Sequence, residues 1–215
     1  MFKPHSTVVM TGDSITDGQR DRPVGRMGGL GKCYPMFFDA MLQAHCPEDE
    51  IRILNTGCDG NRSRQLLERF DSDALAYKPD YITVLIGVND VWRQFDRPLF
   101  SEDHGLLGAY KENVELMAEK SEKAGAEMIL LLPFMFEPNR EEPMRKAIEQ
   151  YAHAAEEIAR ERGIKAIPLQ PCVDDMLKHR HPMSITWDRV HPNYVAHYRI
   201  AYEIAKALQY PFAQG

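Results

Sequence analysis

Short apolar runs alternating with longer amphipathic stretches constrain this chain more than any other feature. The runs cover residues 8–11, 51–55, 81–86, 128–133 and 165–168. Several are continuous, Met128 to Leu132 most plainly. A strand without polar alternation is one covered on both faces, as in a parallel sheet. The stretches between carry apolar residues at helical spacing and predict helices over 33–44, 63–75, 108–124, 143–162 and 193–208. Their ends are marked. Asn61 is placed to cap the second, Pro143 sits in a first turn that tolerates it, and Gly125 and Gly163 close two others. Strands alternating with helices predict an open parallel sheet of five strands with helices on both faces. No repeat, linker or low-complexity tract interrupts this pattern, so residues 1–215 read as one domain, large enough to bury a full core. Ligands of such sheets bind beyond the carboxyl ends of the strands. The irregular stretches 18–32, 91–105 and 134–142 are therefore expected to border the site.

Charge narrows the partners. A formal net charge of −6 argues against nucleic acid or an anionic membrane, because both reward a basic surface. No apolar run approaches the roughly 20 residues of a bilayer span. Residues 1–14 hold no stretch of signal-peptide length, so a cytoplasmic location is expected. Cys33, Cys46, Cys58 and Cys172 have neither CxxC nor CxH spacing. In a reducing compartment they read as small buried hydrophobes, not as disulfides or zinc ligands. His179 and His181, in KHRHP, have no further ligand at useful spacing and are set aside as a metal site.

The chemistry begins where the first strand ends. VVMTGDSITDG, residues 8–18, leaves Ser14 at the strand's carboxyl end, where it either caps the next helix or attacks a substrate. A serine hydroxyl is a weak nucleophile unless a base takes its proton. WDRVHPNYVAHY supplies one, with Asp188 three positions before His191. That spacing lets a carboxylate reach one ring nitrogen while the other faces outward. Pro192 keeps His191 extended and starts the last helix, which places the imidazole on a loop. Oxyanion donors follow two other strands. Gly60, in NTGCDGN, lets a backbone N–H turn toward a ligand, and IGVNDVW offers the side-chain amide of Asn89. Each alone reads as a turn residue. Together with Ser14 they share one edge of one sheet, a convergence that turn chemistry does not require.

GDSIT at 12–16, the glycine block around Gly60, GVND at 87–90 and DRVH at 188–191 resemble, in order, the four blocks of the SGNH-hydrolase (GDSL esterase/lipase) family. The resemblance spans nearly the whole chain. It implies a flavodoxin-like three-layer α/β/α sandwich and a triad of Ser14, His191 and Asp188. It also implies an oxyanion hole of the Ser14 and Gly60 backbone N–H groups with the Asn89 amide. The loops GDSITDGQRDRPVG, GVNDVWRQFDRP and PMRKAIEQY are similar to those of the family's intracellular acetylxylan esterases, which remove acetyl groups from xylose units. The implied partner is an acetylated saccharide or another short-acyl ester. No metal or organic cofactor is implied, because such a triad supplies its own base, and the family includes homo-oligomers.

Trp92 and Trp187 flank the catalytic blocks as candidate faces for a sugar ring. Arg93 and Asp13 are further candidate substrate contacts, although Asp13 also suits a bond to backbone in its turn. Arg20, Arg22 and Arg26 are placed to line the mouth, and Asp90 to tie loops together. Nothing resembles an apolar lid, which favours a small acyl group. One rival is another small-acyl esterase of the family: a lysophospholipase, a thioesterase or a platelet-activating-factor-acetylhydrolase-like enzyme. The rival of a different class is a noncatalytic carbohydrate- or phosphate-binding α/β module. That module needs neither Asp188 nor His191, and the chain lacks the glycine motifs of a phosphate cradle.

Overall fold

The computed structural model describes residues 1–101 and 104–214. One sheet is built from β1 (Thr7–Gly12), β2 (Gly25–Arg26), β3 (Arg52–Asn55), β4 (Tyr81–Leu85), β5 (Glu127–Leu132) and β6 (Lys165–Pro168), in the order β2-β3-β1-β4-β5-β6. The five expected strands are present and parallel. β4 is buried along its whole length, and β1 and β5 at every position after the first. That burial on both faces is what the unbroken apolar runs require. The sixth strand corrects the expected count. Gly25 and Arg26 pair antiparallel with Asn55 and Leu54, and a two-residue edge strand carries no readable period.

Helices form the outer layers. α2 (Tyr34–His45), α8 (Gln170–Leu177) and α9 (Tyr194–Ala207) pack together, as do α3 (Ser63–Glu68), α6 (Leu107–Lys123) and α7 (Pro143–Arg162). The chain steps one way along the sheet from β1 to β3, then crosses back to β4 and continues to β6. Right-handed crossovers therefore put α2 and α6 on opposite faces. The reversal occurs at β1, whose neighbours are β3 and β4, and such a switch is where open α/β sheets open a crevice. Ser14 leaves β1 at that crevice.

Caps explain the helix ends. Glu142 accepts from Arg145 N (2.7 Å) at the start of α7, and Gly163, with φ 66°, closes it. Asn193 caps α9, its Oδ1 accepting from Val195 N (3.0 Å) and Ala196 N (3.3 Å); losing such a cap costs about 1 kcal/mol. Asn61 is not a cap. Arg62 holds that position and donates its N–H to Gln65 Oε1 (3.1 Å). The helix expected over 63–75 is broken at Arg69 (φ −101°, ψ 3°), after which α4 (Phe70–Asp73) begins.

Helices α1 (Ser14–Asp17), α5 (Val88–Asp96) and α8 occupy stretches without an expected helix. α5 opens on Gly87, at φ 129°, with Asn89 and Asp90 in its first turn. Those polar residues read as turn formers because they serve the site and not the helix. α5 also replaces the first part of the irregular stretch expected over 91–105, of which residues 102 and 103 lie outside the described residues. All four cysteines are free. Cys33 and Cys172 are buried as expected, whereas Cys46 and Cys58 are partly exposed. Among the described residues no helix is long and apolar enough to cross a membrane.

Candidate active site

β1 ends at Gly12 because nothing larger fits there: a Cβ would lie 2.2 Å from the Leu85 carbonyl oxygen. Asp13 then caps α1, its Oδ1 accepting from Ile15 N at 3.0 Å. Ser14 is thus the first residue of α1 and not its cap, which leaves its hydroxyl for other work. Ser14 Oγ lies 2.8 Å from His191 Nε2, and His191 Nδ1 lies 2.5 Å from Asp188 Oδ2. A carboxylate only accepts, so Nδ1 carries the ring proton and Nε2 is the lone pair facing the serine.

The turn that holds the imidazole is over-determined. Asp188 Oδ1 accepts from Val190 N (2.9 Å) and His191 N (2.8 Å), folding the backbone around its own carboxylate. Arg189, at φ 68°, projects away from that turn. Its carbonyl accepts from Phe136 N (2.8 Å), and its guanidinium donates to Glu137 (2.7 Å). Arg145, wholly buried, supports Glu137 from behind by donating to its carbonyl (2.6 Å) and to both oxygens of Asp174 (2.9 and 3.0 Å). Burial alone would lower the His191 pKa, but the Asp188 carboxylate outweighs it and holds the imidazole above its ordinary value. Burial likewise opposes ionisation of Asp188, yet its bonds from the His191 ring and from two backbone N–H groups hold its carboxyl below the usual range.

A second network, around Asn89 and Asp90, is buried, whereas the turn at Gly60 is exposed. Gly60 takes φ 72°, and a Cβ there would meet nothing within 4 Å, so its turn is open. Asn89 is 2% exposed. One N–H of its amide donates to the Asn61 carbonyl (3.1 Å), and its Oδ1 accepts from Arg93 (3.3 Å). These bonds fix the amide plane, and among the described residues the second N–H is left for a ligand oxygen. Asp90 ties α5 to α3, accepting from Ser63 N (3.0 and 3.2 Å) and Ser63 Oγ (2.6 Å). Burial pushes the Asp90 carboxyl up to about 6 despite those bonds.

The candidate substrate contacts divide. Trp187 is 72% exposed and stacks on the His191 ring, with centroids 5.3 Å apart and planes 3° apart. Trp92 meets the same ring edge-on at 5.7 Å. Arg93 lies over Trp92 at 4.8 Å and pairs with Asp96, so besides orienting Asn89 it braces that indole. Asp13 is 1% exposed, out of reach of a saccharide. One of its oxygens is buried without a partner among the described residues, and burial pushes its carboxyl up to about 7. Arg20 is also interior, donating to the carbonyls of Gly57, Asp21 and Pro23 (2.7–2.9 Å), and so does not line the mouth. Arg26 is exposed and lies outside the cleft. Arg22 does border the cleft and pairs with the buried Asp17 at 2.5 Å.

That cleft, about 730 Å³, touches both Ser14 and His191. Gln19, Arg22 and Lys32 line it from one segment, and Trp187 and Tyr194 from the other, while Gly60 and Asn89 do not. Tyr194, Glu137 and Arg189 went unrecognised in the sequence. Tyr194 was readable, as an aromatic three positions beyond the candidate base. Glu137 and Arg189 were not, because charged residues in loops look alike until the loops meet.

A serine held against an imidazole at the switch point of an open parallel sheet defines a class, the α/β serine hydrolases. The sequence model of the GDSL-like lipase/acylhydrolase family matches residues 10–199, and the chain belongs to that family; it is a carboxylic ester hydrolase. An acetylxylan esterase of Geobacillus stearothermophilus is 37% identical over 196 residues, 90% of either chain. The crystal structure of Axe2, an acetylxylan esterase from the same organism, matches with a TM-score of 0.95 at 34% identity, covering 98% of this chain and 97% of that one. An alpha/beta hydrolase enzyme from the metagenome of Lake Arreo, Spain, matches at 0.92 and 37% identity over 96% of both chains.

Proposed function

We propose that this esterase removes acetyl groups from xylose units of short saccharides by a two-step acyl transfer. Ser14 attacks the ester carbonyl while His191 takes its proton. The oxyanion is met by the N–H groups of Ser14 and Gly60 and the free N–H of Asn89. His191, now charged and held by Asp188, protonates the leaving sugar oxygen, and water then repeats the sequence on the acyl-serine. The observation that carries the reading is the unbroken line from Ser14 Oγ through His191 to Asp188, with contacts of 2.8 and 2.5 Å.

The similar Geobacillus enzyme supports these roles. Its solved catalytic mutants replace a serine, a histidine and an aspartate, the aspartate three positions before the histidine, as Asp188 precedes His191. Further mutants of it are described as forms of an acetyl-xylooligosaccharide esterase. The placement of the cleft supports the substrate. His191 must protonate the departing alcohol, so the alcohol lies on the His191 side, where the space is large and faced by Trp187 and Tyr194. An acetyl group needs far less room than that cleft provides.

Acetate released from acetylated xylo-oligosaccharides tests the reading, with Ser14→Ala as the blank. Release that vanishes in that variant, and exceeds release from long-chain acyl esters, is the expected outcome. Faster turnover of long-chain esters would transfer the enzyme to the lipid-directed members of its family.

A further inference from the structure

We infer that Arg69 is a positioning residue for catalysis, clamping the loops that present Ser14 and Gly60 and, through Asn61, the amide of Asn89; the inference rests on the oxyanion hole proposed above. Its guanidinium makes four contacts. Nη2 donates to the carbonyl of Gly12 (2.8 Å), two residues before Ser14. Nη1 donates to the carbonyl of Thr56 (2.8 Å), where the turn leading to Gly60 begins, and to Asp73 (3.1 Å). Nε donates to Asn61 Oδ1 (2.7 Å). Asn61 in turn presents the carbonyl that accepts from the Asn89 amide (3.1 Å).

The loops leave three different strands, β1, β3 and β4. Backbone bonds from Thr56 N to the Met10 carbonyl (2.9 Å) and from Cys58 N to the Gly12 carbonyl (3.0 Å) carry the β1–β3 pairing past the strand ends, and the Arg69 fork adds a side-chain tie at the same Gly12 carbonyl. An arginine fork offers five N–H donors at fixed angles, and here its bonds end on the segment carrying Ser14, at Gly12, and on the segment carrying Gly60, at Thr56 and Asn61, while Asn89 is reached through the Asn61 carbonyl. Its partner Asp73 offsets the charge, so the side chain is not an isolated buried cation. The break in the helix also acquires a reason. An uninterrupted helix over 63–75 would leave Arg69 in regular helical geometry, whereas the observed φ of −101° and ψ of 3° accompany a side chain directed at the strand ends. Preorganised donors act only when they stand where the oxyanion forms, so an error in register between loops degrades them without touching the nucleophile or the base.

Arg69→Met keeps the length of the side chain and removes the fork. With rates normalised to active sites titrated by an organophosphate, kcat on 4-nitrophenyl acetate is expected to fall about 10- to 100-fold. KM should hold within about twofold, and the acid limb of the pH profile, which reports His191, should stay in place. Arg69→Lys, with one ammonium in place of the fork, should recover only part of the loss. A purely structural role would lower the titratable fraction and leave kcat per site intact, which would overturn the inference. If Arg69→Met does not fold, Asn61→Ala decides: it removes one arm of the clamp, and kcat per site equal to wild type would equally overturn it. Asn89→Ala run alongside separates the two failures. A kcat undiminished in that variant removes the proposed oxyanion hole, and the clamp with it. A loss there of the expected size beside an indifferent Arg69 removes the clamp alone.

Discussion

The two halves of the site are built on different plans. The half proposed to relay the proton is a line: serine, imidazole, carboxylate, each touching the next, with the side chains of His191 and Asp188 still 21% and 24% exposed. The half proposed to hold the oxyanion is a mesh in which Asn89, Asp90, Ser63, Asn61 and Arg69 hold one another, and Asn89 and Asp90 are at most 2% exposed. A line fails at any link. A mesh loses one donor and keeps the rest. The imidazole and carboxylate of the line sit on a loop late in the chain, and the mesh grows from the strand ends themselves. The relay therefore depends on a few strong local bonds, such as the backbone turn around Asp188, and the mesh on the register of the sheet.

The largest effect should come from breaking the line. Asp188→Asn keeps the shape, but its amide can offer Nδ1 the wrong partner, and such a change costs on the order of 10³–10⁴ in kcat. It should also displace the acid limb of the rate profile. Burial lowers the His191 pKa, and Asp188 is the main group that holds it above its ordinary value; once that carboxylate is gone, burial is opposed only by the weaker pulls of Asp13 and Asp59, and the pKa falls. The base then becomes neutral at lower pH, so the limb moves down even as the plateau collapses. A limb that stays where it was would mean that Asp188 is not the group polarising the ring. Asn89→Ala should cost less, on the order of 10²–10³ in kcat, with the limb unmoved, because the amide does not touch the imidazole. These two variants, measured across pH on one substrate, test whether the halves are separate.

The same division governs what the sequence disclosed. Strands β1, β4 and β5 are the most legible, because burial on both faces keeps their runs predominantly apolar. The relay was readable because Asp188 and His191 are close in sequence. The mesh was readable only at its tips, Gly60 and Asn89. Arg69 looks like any charged residue of an amphipathic helix, and its meaning depends on three carbonyl and carboxamide oxygens brought from residues 12, 56 and 61. α5 was hidden for a related reason: Asn89 and Asp90 have low helix propensity, and their value lies in tertiary bonds. Trp187, placed by its position beside Asp188, stacks on the His191 ring. Asp13 and Arg20 were misjudged as reachable by substrate, because no one-dimensional pattern marks a polar side chain that turns inward at a strand end.

Asp13 offers the smallest effect and the sharpest test of how closed the mesh side is. Its carboxyl is pushed up to about 7 by burial, whereas in the unfolded chain it ionises as an ordinary aspartate near pH 4. Between those values the unfolded chain has released a proton that the folded one keeps. The contribution of this group to stability therefore falls as pH rises from about 4 to about 7 and levels off above that. Asp13→Asn retains an oxygen to cap Ile15 N and cannot ionise. The wild-type melting temperature minus that of the variant should thus decline between pH 4 and pH 7. At low pH the two differ only by a neutral acid against a neutral amide. A difference that stays flat across that range would mean that Asp13 is already charged in the fold, and so that water or a partner reaches its second oxygen. The partition between an exposed line and a sealed mesh would then fail at the residue adjoining the nucleophile.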